Sequence, residues 1–335
     1  MRIAVFGAGS LGVVLGACLT KAGLDTVLIH RNPVHVAALN RDGARVKGTV
    51  EMTVPVRAML PDEMTGRWDL ILLVTKQSEN RQTAEFLKPL LSDDGIVCTL
   101  QNGLPEALLC EVLGERHVMG CTVSWGATLL EPGVSRLTSA PDSLSFGLGP
   151  IDGKWDTRCD RVKAVLENMC PVEIVPDLKS VRWSKLLINA AFSGLGTVFG
   201  CTFGEVAANP ESRKICLDLI RECIDAGHKS GAEFARMQGK DIVSLFYYRN
   251  PLKRRFALVI LPLAIRQHAQ ITPSMLQDIR KGKKTEIDDI NGAVCAAGDR
   301  AGFETPINDT VVDAVHRIEN GELTPGFENL RLFRK

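Results

Sequence analysis

"RIAVFGAGSLGVVLGACLTKAG", residues 2–23, changes character twice within a short stretch. "RIAVF" is an apolar run of β-forming residues that ends at Gly7. Glycines then recur at positions 7, 9 and 12, and "VVLGACLTKAG" carries apolar residues at helical spacing until Gly23 stops it. The order is strand, tight glycine turn, helix. A backbone without Cβ atoms lets a bulky anion come close, and the first amides of the helix, with its dipole, favour negative charge there. Glycines also simply make turns, so the spacing alone says little. Here it begins at the seventh residue, after a strand and before a helix, which is the context a dinucleotide pyrophosphate requires.

Further along, "TVLIH" reads as a second strand that runs into Arg31. An acidic residue at this strand end usually serves the ribose hydroxyls of NAD, whereas an arginine suits a 2′-phosphate, so NADPH is the expected cofactor. An exposed arginine at a strand end is the plainer explanation of the same residue. Two more apolar strands, "DLILLVTK" and "GIVCTLQNG", end at Lys76 and at Asn102 and Gly103. The carboxyl ends of parallel strands line the ligand crevice, which puts Lys76 and Asn102 beside cofactor and substrate.

From about Met119 the pattern is strand-like ("HVMGCTVSWGA", "VSRLTSA", "DSLSFG"), followed by a helical stretch from Arg158 to Met169 and a last strand, "VEIV". Beyond Pro176 it changes to successive helices broken by Gly, Pro or Asn turns. The expected fold is therefore α/β: a dinucleotide-binding domain over residues 1–177, then an all-helical domain over 178–335. The charge run "RKGKK" at 280–284 reads as a solvated turn.

Composition excludes several classes of function. The 335 residues are 45% hydrophobic and 24% charged, and 40 Lys+Arg against 39 Asp+Glu leave a net charge of +1. No overall field exists to hold nucleic acid. The ten cysteines include no C-x-x-C pair and the six histidines no H-E-x-x-H, so no metal site is signalled, and reduced thiols in a cytoplasm fit best. The opening "RIAVFGAG" has no charged leader and reads as lacking a secretory signal. Apolar runs such as "FALVILPLAI" are too short to span a bilayer, so no membrane partner is expected.

The stretch "WSKLLINAAFSG", residues 183–194, begins the second domain. Its spacing is helical and nearly all of it is apolar, yet Lys185 and Asn189 stand four residues apart on one face. A lysine there costs desolvation energy unless it snorkels to water or meets a partner. At a substrate site it can instead donate a proton to a carbonyl oxygen as hydride reaches the carbon. In "SMLQDIRKGKKTEIDDING", Ser274 and Glu286 place a hydroxyl and a carboxylate on either side of the basic turn. Glu286 could orient Lys185 or hydrogen-bond the product hydroxyl.

Taken together, "GAGSLG" at 7–12, Arg31, Lys76, "QNG" at 101–103, "KLLIN" at 185–189 and "SMLQDI…KTEIDDINGAV" at 274–294 resemble the ketopantoate reductases (2-dehydropantoate 2-reductases). The resemblance implies a Rossmann-like N-terminal domain, a helical C-terminal domain, and NADPH-dependent reduction of the 2-oxo group of ketopantoate to pantoate, the pantothenate precursor. It implies that Gly7, Ala8, Gly9, Ser10, Leu11 and Gly12 bind the pyrophosphate and Arg31 the 2′-phosphate. Lys76 and Asn102 would lie by cofactor and substrate, and Ala127 by the nicotinamide. Lys185 would be the general acid, Glu286 would stand beside the reacting centre, and Asn189, Ser193 and Ser274 would bind substrate.

The departures fall on the substrate side. Family members commonly carry a second asparagine four residues after the one matching Asn189, and often a further polar residue ten beyond it; this chain has Ser193 and Phe203. A related 2-oxo acid reductase with a reshaped pocket is thus an alternative. A non-catalytic NADP(H)-binding sensor is a weaker one, since it has no reason to keep Lys185, Asn189, Ser274 and Glu286 together. A homodimer is entertained as the assembly, although nothing in the sequence fixes the oligomeric state.

Overall fold

Residues Ile3–Phe6 form strand β1, and successive side chains leave it on opposite faces: Ile3 and Val5 enter one core cluster, Ala4 and Phe6 another. A strand buried on both faces has to read as an unbroken apolar run, which is why alternation is missing from it. The computed structural model describes residues 1–237 and 239–334, and the chain divides into two units, Met1–Leu178 and Lys179–Lys335.

In the first unit β1 is followed by α1 (Ser10–Lys21), β2 (Thr26–Ile29), α2 (Pro33–Asp42), β3 (Ala44–Gly48), β4 (Met52–Val54), β5 (Arg57–Met59) and β6 (Trp68–Leu73). Then come α3 (Asn80–Leu87), β7 (Leu91–Thr99), α4 (Glu106–Leu113), β8 (Val118–Val123), β9 (Ala127–Glu131), β10 (Val134–Leu137), β11 (Phe146–Pro150), α5 (Thr157–Leu166) and β12 (Val172–Ile174). The main sheet has eight strands in the order β12-β11-β8-β7-β6-β1-β2-β5; only the β11–β8 pair is antiparallel, so β11 and β12 run opposite to the other six. Its register aligns the carboxyl ends of the central strands: Phe6 pairs with both Ile29 and Leu73, and Leu73 with Thr99. The chain leaves β1 for β2 on one side and returns to β6 on the other, so the switch of direction lies at β1, where ligands bind in sheets of this kind.

A second sheet of four strands, in the order β4-β3-β10-β9, was visible in the sequence only in β10. Of its strands, β3 and β4 are five and three residues long and β3 carries Arg45 and Lys47, too short and too charged to show a period. Ala127 begins β9 in this second sheet.

The second unit is helical: α6 (Leu178–Ile188) carries the chain into it, and it continues with α7 (Leu195–Val198), α8 (Phe203–Ala208), α9 (Pro210–Lys229), α10 (Ile242–Phe246) and α11 (Pro251–Ala264). It ends with α12 (Ser274–Arg280), α13 (Ile287–Arg300), α14 (Pro306–Glu319) and a short terminal turn, Phe327–Phe333. Among the described residues its only β pairing is an isolated bridge, Met237 to Lys240. Helix α9 is the axis of the unit. Asn209 caps it by accepting from Glu211 and Ser212 N–H, and its Leu219, Ile220, Cys223 and Ile224 are fully buried. No helix is long and apolar enough to cross a membrane among the described residues.

One expectation needs correction. Residues 183–194 are not a continuous α-helix: α6 ends at Ile188, and Asn189–Gly194 wind as a wider π turn before α7 resumes. Helical periodicity of apolar residues does not separate the two, because five of the six residues in the turn are buried all round.

Candidate active site

The glycine turn of the first unit is shaped by contacts a side chain would break. Gly7 has φ +100°, and a Cβ on it would lie 2.7 Å from the Thr75 nitrogen; one on Gly12 would lie 2.5 Å from the Gly7 oxygen. These two positions bring β1, α1 and the end of β6 together. Gly9 differs, since a Cβ there would meet nothing nearer than the Gly7 oxygen at 4.0 Å, so its open side faces away from the fold. The turn is held from β2: Gly7 N–H and Ala8 N–H both donate to the Ile29 carbonyl, at 3.0 and 2.9 Å. Ser10, Leu11 and Gly12 open α1, whose first turn holds no acidic residue. An open glycine at the N-cap, unopposed by negative charge, fits a pyrophosphate.

Two residues outside the motif support it. His35, 1% exposed, accepts at Nδ1 from Gly133 N–H at 3.2 Å, which leaves Nε2 protonated and donating to the Ala8 carbonyl at 2.8 Å. Burial holds this imidazole below its ordinary pKa, and its bond to the Ala8 carbonyl offsets only part of that. Ser135 of β10 donates its hydroxyl to the Ser10 carbonyl at 2.7 Å.

Arg31 stands exposed beyond the end of β2, with Nη1 3.5 Å from Glu79 Oε2. Lys76 and Asn102 follow β6 and β7, both half-buried, and side chains lace their two loops together. Gln101 Nε2 donates to the Thr75 carbonyl at 3.0 Å and to Asn80 Oδ1 at 2.7 Å, while its oxygen accepts from Thr99 Oγ1 at 2.9 Å. Gln77 Nε2 donates to the Asn102 carbonyl at 2.6 Å. Thus Gly7–Gly12, Arg31, Lys76 and Asn102 all follow the carboxyl ends of neighbouring strands of one sheet. Ala127 belongs to the other sheet.

In the second unit Lys185 lies half-buried on α6, and Asn189 and Ser193 lie on the π turn, Asn189 half-buried and Ser193 buried. Ser274 is the exposed first residue of α12, and Glu286 is the half-buried residue preceding α13. Both of these helices pack against the π turn, so Asn189, Ser193, Ser274 and Glu286 come from three elements that touch. The approach to Glu286 is fixed by α14: Glu319 Oε1 accepts from Thr285 N–H at 2.7 Å. Burial alone would raise the Glu319 pKa, but the Thr285 bonds and nearby His316 outweigh it and hold the carboxyl below its ordinary range. Phe203 is buried and stacks on Phe192 of the turn, ring centroids 5.4 Å apart.

Sequence models of the family described as "Ketopantoate reductase PanE/ApbA" match residues 3–150, and those of its C-terminal part match residues 177–319. The chain belongs to the ketopantoate reductase family. Membership makes it an NADP(H)-dependent oxidoreductase built from a Rossmann-like domain and a helical domain. A 2-dehydropantoate 2-reductase of Streptococcus pyogenes serotype M6 is 28% identical over 324 residues, covering 95% of this chain and 98% of the relative. Among solved structures, a PanE/ApbA family ketopantoate reductase from Ralstonia eutropha JMP134 shares the fold with a TM-score of 0.81 at 24% identity, covering 96% of this chain and 99% of the other. A D-mandelate dehydrogenase in complex with NADH and anilino(oxo)acetate shares it with a TM-score of 0.79 at 23% identity, over 96% and 99% of the two chains.

Of the supporting residues, only Gln101 carried a signal, as part of "QNG". His35, Ser135 and Glu319 act across sequence separations of 27, 125 and 34 residues, which no local pattern reveals.

His35 gives a test of the glycine turn. Its folded pKa is depressed, so its contribution to stability is complete above about pH 6.5 and is lost as pH falls below that, because the unfolded chain then binds the proton more readily. His35→Ala should lower stability at pH 8 by about 1–3 kcal/mol, the cost of leaving the Ala8 carbonyl without a donor, and should flatten the decline between pH 7 and pH 5. Denaturant unfolding at the three pH values measures both effects.

Proposed function

We propose that this chain reduces the 2-oxo group of ketopantoate with NADPH to give pantoate, the pantothenate precursor. The observation that carries this reading is the packing of α12 and α13 against the π turn. That packing supports a site in which Asn189 and Ser193 of the turn work with Ser274 of α12 and Glu286 before α13. A cofactor-binding protein without chemistry would have no use for that set.

Bound NADPH supplies the hydride that converts the oxo carbon to an alcohol. Lys185 donates the proton that the oxo oxygen needs as charge develops on it. Glu286 stands beside the reacting centre and orients the ammonium or holds the product hydroxyl. Asn189, Ser193 and Ser274 offer hydrogen bonds to the substrate's carboxylate and terminal hydroxyl. The glycine turn holds the pyrophosphate, Lys76 and Asn102 lie by cofactor and substrate, and Ala127 lies by the nicotinamide. Arg31 takes the 2′-phosphate: its pairing with Glu79 is long and solvent-exposed, of the kind that contributes little, so a phosphate displaces it readily. A cytoplasmic location belongs to the same reading, supported by ten cysteines that are all free thiols.

We also infer that the chain works as a homodimer. Helix α11 exposes Leu252, Phe256, Val259 and Leu263, at 77, 50, 66 and 63%, and their spacing sets them along one face. Phe256→Asp together with Val259→Asp should convert a dimer to a monomer in light scattering at micromolar concentration. An unmutated protein that is already monomeric under the same conditions sinks this assignment.

Cofactor binding and proton transfer should separate by mutation. Arg31→Ala should weaken NADPH by about 10- to 150-fold and leave NADH nearly unchanged, through loss of a charge-assisted contact. Lys185→Ala should instead lower kcat by roughly 10²- to 10⁴-fold with NADPH affinity retained. Fluorescence titration and steady-state rates give the two readouts. A Lys185→Ala protein that turns over normally but binds NADPH poorly would make the lysine a cofactor residue.

The substrate itself is tested by comparing ketopantoate with 3,3-dimethyl-2-oxobutanoate, which lacks the terminal hydroxyl. Ser193 replaces a longer amide and the Phe203 ring is occupied by Phe192, so hydroxyl recognition rests largely on Asn189. The analogue should therefore lose less than about 100-fold in kcat/KM, and Ser193→Asn should widen the gap. A native penalty of roughly 10⁴ or more would show that the pocket is not relaxed. Inactivity on both acids would move the assignment to another 2-oxo acid.

A further inference from the structure

A widened turn in the middle of a packed helix cannot close all of its own hydrogen bonds in the α-helical pattern. At the end of Asn189–Gly194 the Leu195 N–H goes to the Phe192 carbonyl. The carbonyl of fully buried Ala190 also accepts from another helix, from Asn291 Nδ2 of α13 at 3.2 Å. Asn291 is itself wholly buried, and the same nitrogen donates to Asn308 Oδ1 at 3.0 Å. Asn308 Nδ2 in turn donates to Glu222 Oε2 at 2.6 Å.

The direction of this relay is set at its far end. An ionised carboxylate only accepts, and Glu222 of α9 also takes the Ile307 and Asn308 N–H groups at the start of α14, at 3.0 and 2.8 Å. Asn308 must therefore turn its NH2 to Glu222 and its oxygen to Asn291, and Asn291 must present its NH2 to both Asn308 and Ala190. The remaining atom, Asn291 Oδ1, has no hydrogen-bond partner among the described residues and faces Gly194, where a Cβ would lie only 2.5 Å from it. Gly194 is the residue of the turn that makes room for the amide. Hydride and proton transfer use none of Asn291, Asn308 and Glu222.

We propose that Asn291 is a positioning residue of the substrate site. By holding the Ala190 carbonyl it keeps the π turn wide, and so fixes the directions in which neighbouring Asn189 and Ser193 point. This rests on the reading that those two residues bind the oxo acid. Lys185 precedes the turn on α6, so losing the hold loosens substrate binding more than it disturbs proton transfer.

The test is steady-state kinetics of the full chain, with NADPH and ketopantoate or whichever acid of a 2-oxo acid panel the parent reduces fastest. Asn291→Leu, similar in size but unable to donate, should raise KM for the acid roughly 10- to 100-fold and change kcat less than about threefold, with NADPH affinity unchanged. Gly194→Ala, whose methyl group displaces the amide, should show the same split. In an Asn189→Ala background the Asn291 substitution should raise KM by a smaller factor than in the parent, because the part of its effect that runs through Asn189 is already lost. A folded Asn291→Leu protein that melts earlier but keeps the parent KM overturns the proposal, as does a loss confined to kcat. If Asn291→Leu does not fold, the KM of Gly194→Ala decides in the same way. If Asn189→Ala leaves KM unchanged while the Asn291 and Gly194 variants raise it, the role of Asn189 in binding fails and the positioning role stands, acting through Ser193.

Discussion

Backbone polar groups shut away from water must find partners, and both functional turns of this protein are irregular backbone in packed surroundings. Regular strands and helices pair their own amides and carbonyls. The glycine turn and the π turn do so only in part, and each takes further bonds from side chains of distant elements. His35, Ser135 and Gln101 bond the Ala8, Ser10 and Thr75 carbonyls in the first unit, and Asn291 bonds the Ala190 carbonyl in the second. In each unit the sheet or bundle is the frame, and these few buried bonds hold the working loops to it.

The supporting groups also have their polarity settled. Gly133 N–H fixes the tautomer of His35, Glu222 orients two successive asparagine amides, and Glu319 takes the amide next to Glu286. Burial pushes the Glu222 carboxyl above its ordinary range, against the pull of the Ile307 and Asn308 donors, so the anchor of the relay is itself a group whose charge has to be sustained by its neighbours. The same logic reappears at Asp289, where burial, with Asp288 adding to it, raises the carboxyl to about 6.

The sequence made the first domain's ligand rim legible because its signals are local. Gly7, Gly9 and Gly12 lie within six residues, and Arg31, Lys76 and Asn102 each follow an apolar run that can only be a buried strand. It made the second domain legible as helices but not as a site, since the elements that carry Asn189 and Ser274 meet only through the packing of α12 on the turn. The second sheet was legible only in β10, read as strand-like in "VSRLTSA", because β3 and β4 are too short to show a period. The π turn escaped because an all-apolar stretch has no polar face by which to measure its pitch. Phe203, which the sequence marks as a departure from a commonly polar family position, is engaged in stacking on Phe192.

A π turn takes in one residue more than an α turn would, so everything beyond it is rotated by about 100° around the helix axis relative to an unbroken helix. The turn therefore acts as a phase shift between Lys185, upstream on α6, and the residues that follow. Lengthening or shortening the chain by one residue at Asn189–Gly194 would re-aim the side chains that follow without moving the lysine in its own helix. On the proposed roles, change at this point offers a lineage a way to alter which acid is recognised while Lys185 keeps its place.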